Sequence, residues 1–360
     1  MRPCYTRLAM KLTLALPSLV WPQALDEAAT DILAPGLTRL ISASDCETLA
    51  LSAEEWLARH CGVPHERDWP IAPILAQAEL SNTTPAHWLF ADPVHLQLGH
   101  DDVILQETLL ALPENQATAM LDTLNRHFAE DGWAFQRGKS GRWYLGLNGP
   151  AAITTAPPRL ALRRPVRHYL PRGEDAGRFL RASTEIQMLL HEHPMNHQRE
   201  ERGEPTVNSL WFWGGGAARP RAQAKSLLLC ADGDMVRALA HGAGAQIAGL
   251  PPDAHGLPDS SAEVVLWLDA LDPPHAEGNF ATWCSKLQAL EQQWLAPLCA
   301  RADRGDFELR VLVCSQDAVG FLDYRPRSWL ARFFNSREDV RHALTRVRHR
   351  LDATASGTPA

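Results

Sequence analysis

This chain is short of the features that usually announce a function. Cysteine is sparse and poorly spaced: the seven, at 4, 46, 61, 230, 284, 299 and 314, are odd in number and form no CxxC pair. That argues against a disulfide framework or a zinc ribbon and predicts reduced, buried thiols in a cytoplasmic protein. No apolar run approaches the roughly 20 residues that a membrane span needs. Leu12 to Leu16 stops at Pro17 and reads as a first buried strand, not as a signal peptide. Positive charge is not in excess either. A net charge of −7 gives no general attraction to nucleic acid or to an anionic membrane. Nucleotide and hydrolase signatures are missing around Gly214-Gly215-Gly216. Arg219 stands where that run would need a further glycine for GxGxxG, no Gly-Lys-Ser or Gly-Lys-Thr follows it, and there is no GxSxG elbow. Asp232-Gly233-Asp234 lacks the later ligands of an EF-hand.

What is present looks globular. The 360 residues, 45% hydrophobic and 21% charged, suffice for one large domain or two ordinary ones. Helical spacing is predicted around Asp26 to Ile32, Leu37 to Ala43, Ser52 to His60 with Ser52 as cap, and Ile71 to Leu80. Past the break at Ser81 to Pro85 the period shortens. Val94 to Leu98 with Val103 to Gln106 reads as one hairpin and Trp133 to Phe135 with Arg142 to Leu147 as another, on either side of a helix from Pro113 to Ala129. This ββαββ module, with its linker, is assigned to 82–170, either standing apart or inserted in a larger domain. From Ser209 onward short buried strands (226–231, 246–250, 264–268, 309–313) alternate with helices, including a long one from Thr282 to Arg301. Such alternation predicts a mostly parallel sheet covered by helices. The parallel core is assigned to 1–81 and 171–340, and 341–360 is set apart as the end of a basic helix and a frayed tail.

The segment from Glu185 to Gly216 carries the chemistry. An amphipathic helix from Phe179 to His191 is halted by Pro194, which holds His193 extended and projects it from a loop. Asn196 can donate and accept at once, and Arg199 can grip a carboxylate or phosphate with two prongs. With Asn208 and Trp213-Gly214 following, these residues form a candidate anion site; the plain alternative is a polar helix cap with Arg199 in solvent. The glycine run fits a close approach of backbone to a neighbour better than a phosphate loop. Asp269, Asp272 and His275 follow a buried strand at the sheet end where open α/β folds bind ligands, and are candidate metal ligands. The plain alternative, a helix cap and turn with Pro273-Pro274, accounts for them without a metal.

The run Leu190-His191-Glu192-His193-Pro194-Met195-Asn196, with Arg199, Gly203, Pro205, Asn208 and Trp211-Phe212-Trp213-Gly214, resembles the archaeal-type cofactor-independent phosphoglycerate mutases of the alkaline-phosphatase-like superfamily. Leu16-Pro17 with Trp21-Pro22, Ala91-Asp92-Pro93-Val94-His95-Leu96 and Glu185 to Leu190 extend the likeness to the bacterial RpfE-type regulatory family. The resemblance implies an alkaline-phosphatase-like α/β fold with a smaller α+β module inserted. It also implies two divalent metals, manganese or zinc, and a phosphorylatable serine if the chain is an active mutase. The departures point elsewhere. The first strand ends in Leu16-Pro17-Ser18 where an Asp-Gly pair would supply a metal ligand, Ser315-Gln316-Asp317 replaces an Asp-His pair, and His275-Ala276-Glu277-Gly278 scrambles a metal-binding run. The expectation is a catalytically degenerate regulatory protein with no catalytic residue and no cofactor. It would bind a small phosphorylated or carboxylated molecule through His193, Asn196, Arg199, Asn208, Trp213, Gly214 and Arg172, or a regulatory protein partner. Two alternatives stand beside it: an active mutase with a metal on Asp269, Asp272, His275 and Asp317, and a protein-interaction scaffold using exposed tryptophans and the basic last helix.

Overall fold

The computed structural model describes residues 10–21, 32–42, 46–81, 84–99, 102–106, 109–217, 226–258, 260, 263–315, 317–326 and 340–355. The expected helix at Asp26 to Ile32 and the tail after 355 fall outside them, apart from Ile32 itself. The chain forms two units, one of Met1–Trp56, Ala224–His241 and Ala245–Ala360, the other of Leu57–Gln223 with Gly242–Gly244.

The first unit is built on a seven-stranded sheet. Its order is Gln246–Ala248, Leu227–Cys230, Glu263–Trp267, Met10–Leu16, Phe307–Cys314, Val319–Asp323, Cys46–Leu49. The first five strands run parallel, with Leu12 paired to both Val264 and Leu309; Val319–Asp323 runs antiparallel to them, and Cys46–Leu49 pairs antiparallel to it in turn. This is the mostly parallel sheet that the alternation of strands and helices predicts. The central strand Met10–Leu16 is buried from Leu12 onward, which is why it reads as a continuous apolar run and not as an alternating one. Helices Pro35–Ser42 and Val340–Ala355 bury Leu37, Leu40, Ala343, Leu344, Val347 and Leu351 in its core. The last helix is thus part of the core, a correction to its expected separation at 341. Its apolar residues recur every three or four positions beneath a basic outer face.

The long helix predicted from Thr282 to Arg301 is interrupted. Phe280–Leu290 and Ala296–Asp303 are α-helical, and Glu291–Leu295 between them is a π turn. Pro297 has no N–H for the carbonyl of Gln293, and a wider turn relieves the clash of its ring. The turn swings Glu291 inward, where its carboxylate accepts hydrogen bonds from the N–H groups of Gly36 (2.6 Å) and Leu37 (3.0 Å) and caps helix Pro35–Ser42. Ser52 caps helix Ala53–His60 as expected, and Glu55 returns the bond: Ser52 Oγ accepts from Glu55 N at 3.2 Å and Glu55 Oε2 accepts from Ser52 N at 2.7 Å.

The second unit carries a four-stranded antiparallel sheet, ordered Ser209–Ala217, His87–Val94, Trp143–Leu147, Trp133–Arg137. Helices Glu114–His127 and Ala176–His191 enclose an apolar core on it with Met120, Leu124, Phe179 and Ile186. Helix Ile71–Glu79 packs on strands His87–Val94 and Ser209–Ala217. The expected boundary at 171 is corrected here. Ser209–Ala217 pairs with His87–Val94, so 171–223 belongs with the module and not with the parallel sheet. The misplacement has a physical cause. Both strands are buried over eight successive residues, a pattern that a parallel core strand shares.

Candidate functional site

His193 caps helix Pro194–Glu201 in the extended conformation that Pro194 imposes, with φ −73° and ψ 130°. Its Nδ1 accepts from the N–H of Met195 at 3.2 Å, and Nε2 lies 3.2 Å from Thr123 Oγ1. A ring nitrogen that accepts from a backbone N–H leaves the proton on the other, so the imidazole is the neutral Nε2–H tautomer. Burial lowers its pKa below the ordinary histidine range. Asn196, also buried, donates from Nδ2 to the carbonyls of Leu190 (2.6 Å) and Val207 (2.8 Å) and accepts at Oδ1 from the N–H of Val207 (2.9 Å). It ties the end of helix Ala176–His191 to the segment that leads into strand Ser209–Ala217.

Arg199 does not face solvent. It is 5% exposed and donates to the Pro205 carbonyl at 2.7 Å and to Gln116 Oε1 at 3.0 Å, with Glu204 Oε2 at 3.2 Å. Asn208 imitates a strand residue: Oδ1 accepts from Leu96 N and Nδ2 donates to Leu96 O, both at 2.7 Å. The structure therefore brings His193, Asn196, Arg199 and Asn208 together as an internal latch whose polar atoms serve neighbouring backbone and side chains. It does not present them as the open anion cleft expected from their residue types. Arg172 stands apart, exposed on the short strand Arg172–Gly173, and donates to the His168 carbonyl at 3.0 Å.

Trp213 is buried and donates from Nε1 to Asp92 Oδ2 at 2.8 Å. Gly214 adopts φ +67° where the register slips between Trp213 and Gly216, a bulge that favours glycine. A Cβ on Gly216 would lie 2.4 Å from Pro70 Cβ, which is the close backbone approach the glycine run predicts. Sequence reasoning gave Asp92 no role of its own. Arg142 donates to the same Oδ2 at 2.6 Å, while Oδ1 is buried without a partner among the described residues. Burial raises the Asp92 carboxyl against the opposing pull of Arg142 and Trp213. The available signal was one carboxylate in the otherwise apolar run of strand His87–Val94.

The metal candidates lie in the first unit. After the central strand, Pro17 leads to Ser18 at φ +54° and to the buried Leu19, Val20 and Trp21. The Trp21 ring meets His275, Phe280 and Trp283 edge-on at 5.3, 5.2 and 5.7 Å, and Trp283 Nε1 donates to the Ser18 carbonyl at 3.0 Å. His275 is thus packed into an aromatic cluster. Asp269 sits so close to Gly233 that a Cβ there would lie 2.7 Å from its Oδ2, and Asp317 follows Ser315, whose Oγ accepts from the N–H of Ala318. Among the described residues, no three His, Cys, Asp or Glu gather to hold a metal. Among the described residues, the donors at these strand ends do not make up a set for a pair of divalent ions. The scaffold reading loses its described tryptophans, all of which are buried; Trp329 lies outside the described residues, and the basic outer face of the last helix is unaffected.

No protein-family model matches the chain. It is 27% identical over 225 residues to a 2,3-bisphosphoglycerate-independent phosphoglycerate mutase of Methanosarcina mazei, covering 56% of each chain. It is 31% identical over 148 residues to a probable enzyme of the same name from Geobacter sulfurreducens, covering 36% of this chain and 37% of the relative. In the longer of these matches the chain spans about half the length of the curated relative, 56%. Among solved structures it aligns with a Pyrococcus horikoshii protein at a TM-score of 0.49 and 13% identity, over 88% of this chain and 87% of the other. A cofactor-independent phosphoglycerate mutase of Thermoplasma acidophilum aligns at 0.44 and 14%, over 94% and 100%. Among the described residues, no helix is long and apolar enough to cross a membrane.

Proposed function

We propose that this chain is a phosphoglycerate-mutase-like protein that has given up phosphoryl transfer and serves regulation, as in the RpfE-type group its sequence resembles. One observation carries the reading: Pro17, Ser18 and the cluster of Trp21, His275, Phe280 and Trp283 occupy the exit of the central strand. Metal-assisted phosphoryl transfer needs carboxylates at such a strand end to hold the ions that neutralise the transferring group. An aromatic cluster supplies no charge of that kind. Similarity to named mutases favours a second reading, an active enzyme with rearranged ligands on Asp269, Asp272, His275 and Asp317. Metal analysis of the purified protein, with a 3-phosphoglycerate turnover assay in added manganese, separates the two. The silent reading expects no stoichiometric metal and no turnover. Two tightly held ions with turnover would overturn it.

A further inference from the structure

The second unit holds a cavity of about 290 Å³ that neither the latch nor the strand-end cluster uses. Leu96, Leu180, Leu210, Trp211 and Phe212 give it apolar walls. Its polar lining includes Tyr169 and Ser209. We propose that it binds a small carboxylic acid with an apolar body no larger than two fused aromatic rings. This rests on the second unit alone and does not depend on the reading of the strand end.

Three observations converge. Tyr169 is partly assigned already: its oxygen accepts from Arg164 at 3.1 Å. That leaves its own proton to donate, and the adjacent guanidinium makes an anionic acceptor the favoured one. Leu170 and Leu180 also line the cavity, each 38% exposed. Large apolar side chains left open around a concave apolar site are what a ligand with an apolar body would cover. Arg172, exposed just beyond Tyr169 and Leu170, adds positive charge that favours an acid over its neutral analogue, whereas Arg167 in the same stretch is paired with Asp102.

The test is calorimetric titration of the full chain with 2-naphthoate and with 2-naphthamide, which differ in head group and not in body. Saturable one-to-one binding of the acid below about 1 mM, at least roughly tenfold tighter than the amide, is expected; a charge-assisted hydrogen bond accounts for such a factor. Ser183→Trp, on the helix wall, fills the space and should abolish binding of both. Leu180→Glu places a negative charge at the border and should weaken the acid and spare the amide. Both variants change partly exposed helix positions, and an unchanged circular dichroism spectrum and melting temperature establish that they fold. No saturation by either probe would overturn the site. Equal affinity for acid and amide, or acid binding unaffected by Ser183→Trp in a folded protein, would overturn the proposal equally.

Discussion

Asn196→Ala separates a latch from a ligand site. In the structure the amide makes three buried hydrogen bonds, two donated and one accepted. Not all the partners suffer equally when it is cut away. The Leu190 carbonyl keeps the N–H groups of Glu192 and His193 as donors, so its loss is small. The N–H of Val207 loses Asn196 Oδ1, which accepts from it at 2.9 Å. A buried donor left unsatisfied costs about 1–3 kcal/mol, and each ordinary bond lost about 0.5–1.5 kcal/mol. The expected destabilisation is about 3 kcal/mol. For a unit of this size that lowers Tm by roughly 6–12 °C. Asn196→Asp should be worse, because it turns a carboxylate oxygen towards the carbonyls of Leu190 and Val207 and offers them no proton. Thermal melts followed by circular dichroism, with urea titrations for the free energies, measure both. A surface ligand residue would tolerate either change within about 0.5 kcal/mol. That result for Asn196→Ala would refute the latch.

Other perturbations follow from the same contacts. His193 has its pKa lowered by burial, so the unfolded chain takes up protons first as pH falls. Stability should drop as pH is lowered from about 6.5 through the depressed folded value, and His193→Gln should flatten the difference between urea midpoints measured across that range. Arg199→Ala should lower stability by about 3 kcal/mol or more, because it removes a buried charge-assisted network; a neutral effect on the urea midpoint would return Arg199 to the surface. Trp213→Ala should cost about 3–5 kcal/mol by cavity formation, with a further loss from the Asp92 carboxylate, and an unaltered Tm would contradict its burial. Gly36→Ala would set a Cβ 2.7 Å from both the Ala296 nitrogen and Glu291 Oε1. Overpacking of that kind costs about 1–3 kcal/mol, measurable as a lower urea midpoint.

Periodicity locates most elements of this fold because local spacing decides which face of a helix or strand is buried. Helices 53–60, 71–79, 114–127 and 176–191 and the hairpin strands 133–137 and 143–147 lie within a few residues of their expected places. What spacing does not encode is the partner. Nothing in Ser209–Ala217 says that it lies beside His87–Val94 and not beside Leu227–Cys230, since both environments bury the strand on two faces. The cavity is illegible for the same reason: its lining is drawn from positions between 96 and 212.

The candidate site misleads in a different way. His, Asn and Arg are chosen for anion sites because they offer directed donors, and they suit unpaired backbone carbonyls for the same reason. The composition of the segment is therefore the same under both readings. A local clue separates them. The carbonyls that Asn196 serves are only 6 and 11 residues away, and the one that Arg199 serves 6 residues away, in the segments where helix Ala176–His191 ends and strand Ser209–Ala217 has yet to begin. Such junctions leave main-chain groups unpaired by construction. A cluster of directed donors beside two element ends is first owed to the backbone, and only a donor left over, such as that of Tyr169, is available to a ligand.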